Sequence, residues 1–199
     1  STALTGNVGG NAWSNLVGKL VVDSLHLETM GHEYTMPALG VYLSNDKNKT
    51  LTVSSDFIDG SIYGDYNYTS LVQSLARKLQ PHLPSLARMF AKEESEVDNL
   101  CTANFRITDT KVLNELFGIP LYVDKSVNMT ATLHDKTQVF MANVVAPQLS
   151  YGDLQLSDID VSCECTADKM QLLVDGKGLV DDGVEVVANV KAHALDDVL

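Results

Sequence analysis

The residues from Leu51 to Tyr68 alternate with a period of two, and the same pattern recurs along most of the chain. Leu51, Val53, Ser55 and Phe57 share one parity, and Ile58, Ile62, Tyr66 and Tyr68 share the other. Alternation of this kind belongs to a strand with one buried and one solvated face. The change of parity predicts a turn near Asp59-Gly60. At Thr69 the period becomes helical, with Leu71, Leu75 and Leu79 at i, i+4 and i+8. Thr69 is the expected N-cap. The helix is expected over 69–91, about 20 residues, kinked by Pro81 and Pro84. An acidic run from Glu93 to Asp98 follows. It divides the chain into a first unit, 1–92, and a second, 99–199, within one continuous sheet.

Further alternating runs lie on both sides. Before Leu51 come Leu4 to Gly10, Leu16 to Glu28 and Tyr34 to Ser44, then a polar hairpin loop over 45–49. After the acidic run, Cys101, Ala103, Phe105 and Ile107 alternate, and a short helix over Lys111–Phe117 is stopped by Gly118. The rest alternates as strands to Ala192, with turns at His134-Asp135-Lys136 and Asp182-Gly183. Leu39-Val41-Leu43 with Leu51-Val53 is echoed by Ile159-Val161-Cys163 with Leu172-Val174, a faint sign of a repeated β-unit.

Roughly ten such strands read as antiparallel, and a helix of about 20 residues reaches only some 30 Å. That is too little to cover so many apolar faces. A second sheet stacked on the first, a closed barrel and an open apolar groove all remain open on pattern alone. Aromatics make up only 7% of the chain, which favours a smooth aliphatic lining over a core anchored by rings. The expected class is therefore mainly β: an antiparallel, elongated curved sheet or open β-groove with one kinked helix and one short one.

Composition excludes other classes. A net charge of −12 argues against nucleic acid and against anionic membrane surfaces. Chemistry-bearing clusters are sparse. His26, Glu28, His32 and Glu33 lie close in sequence, yet lack the paired ligand spacing of a metal site. Asp181-Asp182 and Asp196-Asp197 occupy turn and terminal contexts, where solvation outweighs a catalytic reading. Gly176-Lys177-Gly178 lies in a strand and cannot cradle phosphate at a helix start. Cys163 and Cys165, two apart on one strand face, are poorly placed to bridge each other and read as buried thiols. No enzyme, cofactor or metal is expected. With neither an initiating Met nor a leader, the chain reads as a mature portion or an excised fragment.

Two stretches resemble a known family. SDFIDGSIYGDYNYTSLVQSL followed by HLPSL, and then NFRITDTKVLNELFGIPLYVDKSVNMTATLHD with VVAPQLSYGDLQLSDIDVSC, are similar to the TamB and AsmA-like superfamily in its Bacteroidota version. The likeness extends over roughly Leu4 to Val190. It implies a periplasmic segment of a long protein anchored in the inner membrane, folded as a taco-like β-groove. Such proteins are linked to moving phospholipid toward the outer membrane and to outer-membrane assembly. The resemblance also implies an outer-membrane β-barrel partner, engaged through other parts of the full-length chain.

On this expectation the partners are phospholipid acyl chains. Leu51, Val53, Phe57, Ile62, Val127 and Met129 would line the groove in the first part of the series, and Val139, Met141, Ile159, Val161, Leu172 and Val174 in the second. Each is equally a candidate for ordinary core packing. Two alternatives stand beside the conduit: a compact periplasmic lipid or lipoprotein carrier with the helix as lid, and a β-sandwich adhesion or carbohydrate-binding module.

Overall fold

The computed structural model describes residues 2–10, 16–29, 32–36, 38–68, 70–80, 98–111, 114, 118, 120–180 and 183–195. Among them are thirteen strands in one antiparallel sheet. The first six are β1 (Thr2–Gly9), β2 (Val17–Thr29), β3 (His32–Met36), β4 (Leu39–Asn45), β5 (Lys49–Ser55) and β6 (Ile58–Asp65). A helix, α1 (Leu71–Leu79), separates these from β7 (Leu100–Ile107), β8 (Leu121–Val123), β9 (Val127–His134) and β10 (Val139–Tyr151). The last three are β11 (Leu154–Cys165), β12 (Lys169–Val180) and β13 (Val184–Leu195).

Strand order follows the chain. Eleven strands pair in the order β1-β2-β4-β5-β6-β7-β9-β10-β11-β12-β13, with β3 on β2 and β8 on β10. The sheet is open, and β1 and β13 are its edges. Because β6 pairs with β7 across the acidic run, both sequence units share the sheet. Hairpin connections explain most of this order, since a short polar turn returns a strand beside its predecessor, while β6 to β7 and β7 to β9 are joined by longer stretches that carry α1 and β8. Asp46–Asn48 turns β4 into β5, and Asp135–Gln138 turns β9 into β10. Gly183, at φ 73°, lies in the turn from β12 to β13.

Several expectations need correction. The helix is nine residues long, not about 20. Its N-cap is Ser70, and it ends two residues before Pro81, where a ring without an N–H cannot extend the ladder of bonds. The remainder of the expected span, 81–91, lies outside the described residues. So does most of the short helix over Lys111–Phe117. Its described flanks carry Asn114 N–H to Thr110 C=O and Gly118 N–H to Asn114 C=O bonds of 2.9 and 2.8 Å. The run from Tyr34 to Ser44 is two strands, β3 and β4, both paired to β2.

The turn expected at Asp59-Gly60 falls earlier, at Asp56-Phe57, and Gly60 pairs with Val53 inside β6. Gly60 serves another purpose there. A Cβ on it would come within 2.2 Å of the Phe105 ring, so the missing side chain is what lets that ring lie flat on the sheet.

The chain buries little. Its accessible surface is 12579 Å², whereas a compact monomer of 21.6 kDa would expose about 9,200 Å². Among the described residues only eight apolar side chains are buried, and six of them (Tyr66, Ala76, Cys101, Leu133, Cys165 and Met170) lie on α1 or at the end of the sheet beside it.

Candidate functional site: an aliphatic face of the sheet

Residues opposite one another on antiparallel strands share a face, so register alone assembles the site. One row crosses all eleven strands of the main path: Gly6, Leu20, Val41, Val53, Gly60, Phe105, Met129, Val144, Val161, Val174 and Val190. The neighbouring row on the same face includes Leu43, Leu51, Ile62, Ala103, Ala131, Ala142, Cys163, Leu172 and Ala192. Every residue in both is apolar. A row on the other face runs Lys19, Tyr42, Thr52, Ser61, Asn104, Thr130, Asn143 and Ser162. The sheet is two-sided, one side aliphatic and one mostly polar. Ten inter-strand steps of about 4.8 Å make the aliphatic side roughly 48 Å across.

Of the twelve lining candidates, register places nine on this face. Leu51, Val53, Ile62, Val127, Met129, Ile159, Val161, Leu172 and Val174 are brought together. Val139 and Met141 pair with His134 and Thr132 and lie on the opposite face. Phe57 belongs to the β5–β6 turn, where its carbonyl accepts the Thr108 N–H at 2.9 Å. Sequence reading missed Val41, Val144 and Val190 as members of the long row, and Phe105 as its one aromatic.

One end of the face is covered. Gly64, Cys101, Leu133, Phe140, Cys165 and Met170 form its terminal row. Leu71 of α1 packs against the Tyr66–Cys101–Leu133 cluster. At the helix C-terminus the Cys165 thiol donates to the Lys78 carbonyl at 3.2 Å. Burial pushes the Cys101 thiol up to about 11, with the Asp135 carboxylate adding to the effect. Tyr66, whose ring meets Tyr68 edge-on at 5.4 Å, donates its hydroxyl to the Ile62 carbonyl at 3.2 Å.

A polar latch holds α1 in place. Asn99, just before β7, is almost wholly buried. Its side-chain amide donates to Ser74 Oγ at 2.6 Å and to Asp135 Oδ2 at 3.0 Å, and its Oδ1 accepts the Ser70 hydroxyl at 3.3 Å. Its own N–H donates to Asp135 Oδ2 at 2.8 Å, and its Oδ1 accepts the Asn67 N–H at 2.8 Å. Lys78 reaches Asp135 Oδ1 at 3.3 Å, with both side chains less than a tenth exposed. Burial by itself would raise the Asp135 carboxyl. Hydrogen bonds from Asn99 and Ser74, with Lys78 nearby, outweigh it and hold the group below the usual carboxylate range. Ser70 and Ser74 thus present one polar stripe of α1 to Asn99 and Asp135, while Leu71 and Leu75 present the apolar one to the sheet.

Elsewhere no described helix or second sheet lies over the face; Val41, Val53, Phe105, Val144, Val161 and Val174 of the long row are half-buried, and Val127 and Ala146 are buried. Met129 is 38% exposed, and Val190 on the β13 edge is 51% exposed. No group of three His, Cys, Asp or Glu side chains among the described residues is placed to hold a metal ion. Register sets Glu28 opposite Glu33 and His32 opposite Thr29. The candidate carboxylate pairs Asp181-Asp182 and Asp196-Asp197 lie outside the described residues. No helix among the described residues is long and apolar enough to cross a membrane. No family model, curated protein or solved structure matches the chain.

Proposed function

We propose that this chain is a non-enzymatic segment of a lipid conduit of the TamB and AsmA-like kind, running between the inner and outer membranes of an envelope. In this reading the sheet curves into a groove, and its aliphatic face carries phospholipid acyl chains toward the outer membrane. One observation carries the reading: an unbroken apolar row crosses eleven strands of an open sheet, with a mostly polar row on the reverse. Monomeric proteins rarely leave so large an apolar surface without an occupant. A hydrocarbon chain suits it, because each methylene removed from water contributes about 0.8 kcal/mol wherever it lies along an aliphatic track. A surface of valines and leucines without polar anchors holds such a chain without fixing it in place, which transfer requires.

The compact-carrier alternative asks α1 to close a cavity. Among the described residues its nine extend only about 14 Å, under a third of the face. An adhesion sandwich requires a second sheet over the same rows, and the described strands all belong to one sheet.

Native mass spectrometry of the purified chain, followed by lipid extraction, tests the proposal. Co-purifying or exchangeable phospholipid is the expected result. Val53→Glu and Met129→Arg, two charges in the long row, should abolish it while the far-ultraviolet circular dichroism stays that of a β-protein. A folded wild-type chain that neither retains nor takes up lipid would overturn the reading.

A further inference from the structure

Beneath α1 the face is not filled. Ile62, Leu71, Val72, Leu75, Cys101, Ala103, Ala131, Leu133 and Phe140 line a half-open pocket of about 180 Å³. Its origin lies in side-chain size. Ala103 and Ala131 are directly paired at its floor, with the larger Ile62, Leu133 and Phe140 around them. Leu71 and Leu75, one turn apart on α1, form the roof and cannot descend to two methyl groups. Every lining residue is apolar. An enclosed apolar cavity of about 150 Å³ in another protein takes up benzene, so a pocket of this volume, open on one side, has room for a short run of hydrocarbon. The floor also leads outward. Ala131 and Ala103 lie two residues along the same strand faces from Met129 and Phe105, both members of the long open row.

We infer that this pocket is a terminal seat for one alkyl chain: the methyl end of an acyl chain lying on the open face enters beneath α1 and stops there. The inference rests on the proposed lipid-carrying face and adds a fixed point to it. The helix acts as a stop at one end of the track, and the polar latch at Asn99 and Asp135 keeps the roof from being lifted by the chain. No polar group lines the pocket, so the carboxylate or phosphate end of the ligand stays outside, over the open rows.

Photo-cross-linking separates this seat from the open face. The purified chain is irradiated with lauric acid bearing an aliphatic diazirine on its penultimate carbon, and in parallel with the isomer whose diazirine sits beside the carboxylate. Adducts are mapped by peptide mass spectrometry. The terminal probe should label Leu75, Cys101 or Ala131, and the carboxylate-side probe should label only open-row residues such as Met129 and Val161. Ala131→Leu, which fills the floor, should cause loss of the terminal-probe adducts at Leu75 and Cys101, and Ala103→Val does the same should the first variant fail to fold. Adducts from both probes confined to the open rows would overturn the seat and leave the lipid-carrying face standing. Absence of adducts from either probe would overturn both. Because the wild-type map alone decides between these outcomes, the result does not depend on either variant folding.

Discussion

The strand ends beneath α1 and the β13 edge of the sheet share a strand pattern and differ in what lies over it. At the first, Cys101, Leu133 and Cys165 are buried beneath a helix tied down by Asn99 and Asp135. At the second, Val184, Val186 and Val190 alternate just as cleanly on β13 and stay about half exposed. Alternation specifies a face and says nothing of its cover. Stability should therefore be concentrated near α1, while the far strands depend on backbone pairing and on whatever occupies the face. If so, substitutions of like chemistry at the two ends will have unlike costs.

The latch should show the largest effect. Asp135→Ala leaves Lys78 and the Asn99 N–H without their carboxylate, and breaking a buried pair from one side costs about 3 kcal/mol. Urea unfolding followed by circular dichroism measures that loss. Alkylation of Cys101 should accelerate in the same variant, since release of α1 uncovers the thiol. An unchanged urea midpoint with Cys101 still protected would mean that α1 is held by its apolar stripe alone.

Leu133→Ala comes next, at about 2–3 kcal/mol, the lower part of the range for a buried leucine, because its side chain already borders open space beneath α1. It also enlarges the pocket beneath α1, so the result bears on the seat as well as on stability.

Acid probes the latch without a substitution. The Asp135 carboxyl is depressed in the folded chain, so its contribution is fully present above its unfolded value of about 3.9 and fades as pH falls through the lower folded value. Between neutral pH and about pH 5 the latch should not weaken on this account. Below about pH 4, Cys101 protection should decline in the wild type. The comparison with Asp135→Asn, read as the protected fraction of Cys101 after an acid pulse, should show a flatter profile for the variant. Equal acid sensitivity would assign the loosening to another carboxylate.

The same contrast explains what could be read from the residues in advance. Alternation located most strands because the aliphatic residues of β4–β5, and most of those from Ile159 to Val174, keep one parity within each strand, so Val41 with Val53 and Val161 with Val174 came together on one face. In β10 it could not choose. Val139 and Met141 are apolar on one parity, Phe140, Ala142, Val144 and Ala146 on the other, and only the pairing with β9 and β11 settles which side faces the long row. Asp59-Gly60 resembles a hairpin turn because the dipeptide favours one. The true cause of that glycine is a ring more than forty positions away. The latch is less legible still, joining Asn99 to Asp135 through the pairing of Leu100 with His134. A hint remained in Ser70 and Ser74, a polar i, i+4 pair on a helix whose other stripe is leucine.

The smallest expected effect lies at the far edge. Val190→Ala removes two methyl groups from a side chain already 51% exposed, so its cost in the lipid-free chain should stay below about 0.5 kcal/mol. It shares its row with Val53 and Met129. If acyl chains cover that row, the lipid-bound chain gains burial at Val190 that the variant lacks, and the substitution should then cost measurably more. Thermal melts of wild type and Val190→Ala, with and without lipid, compare the two states. A gap between the proteins that opens only when lipid is present means that occupancy reaches the β13 edge. A gap that stays closed in both states confines the occupied track to strands nearer α1.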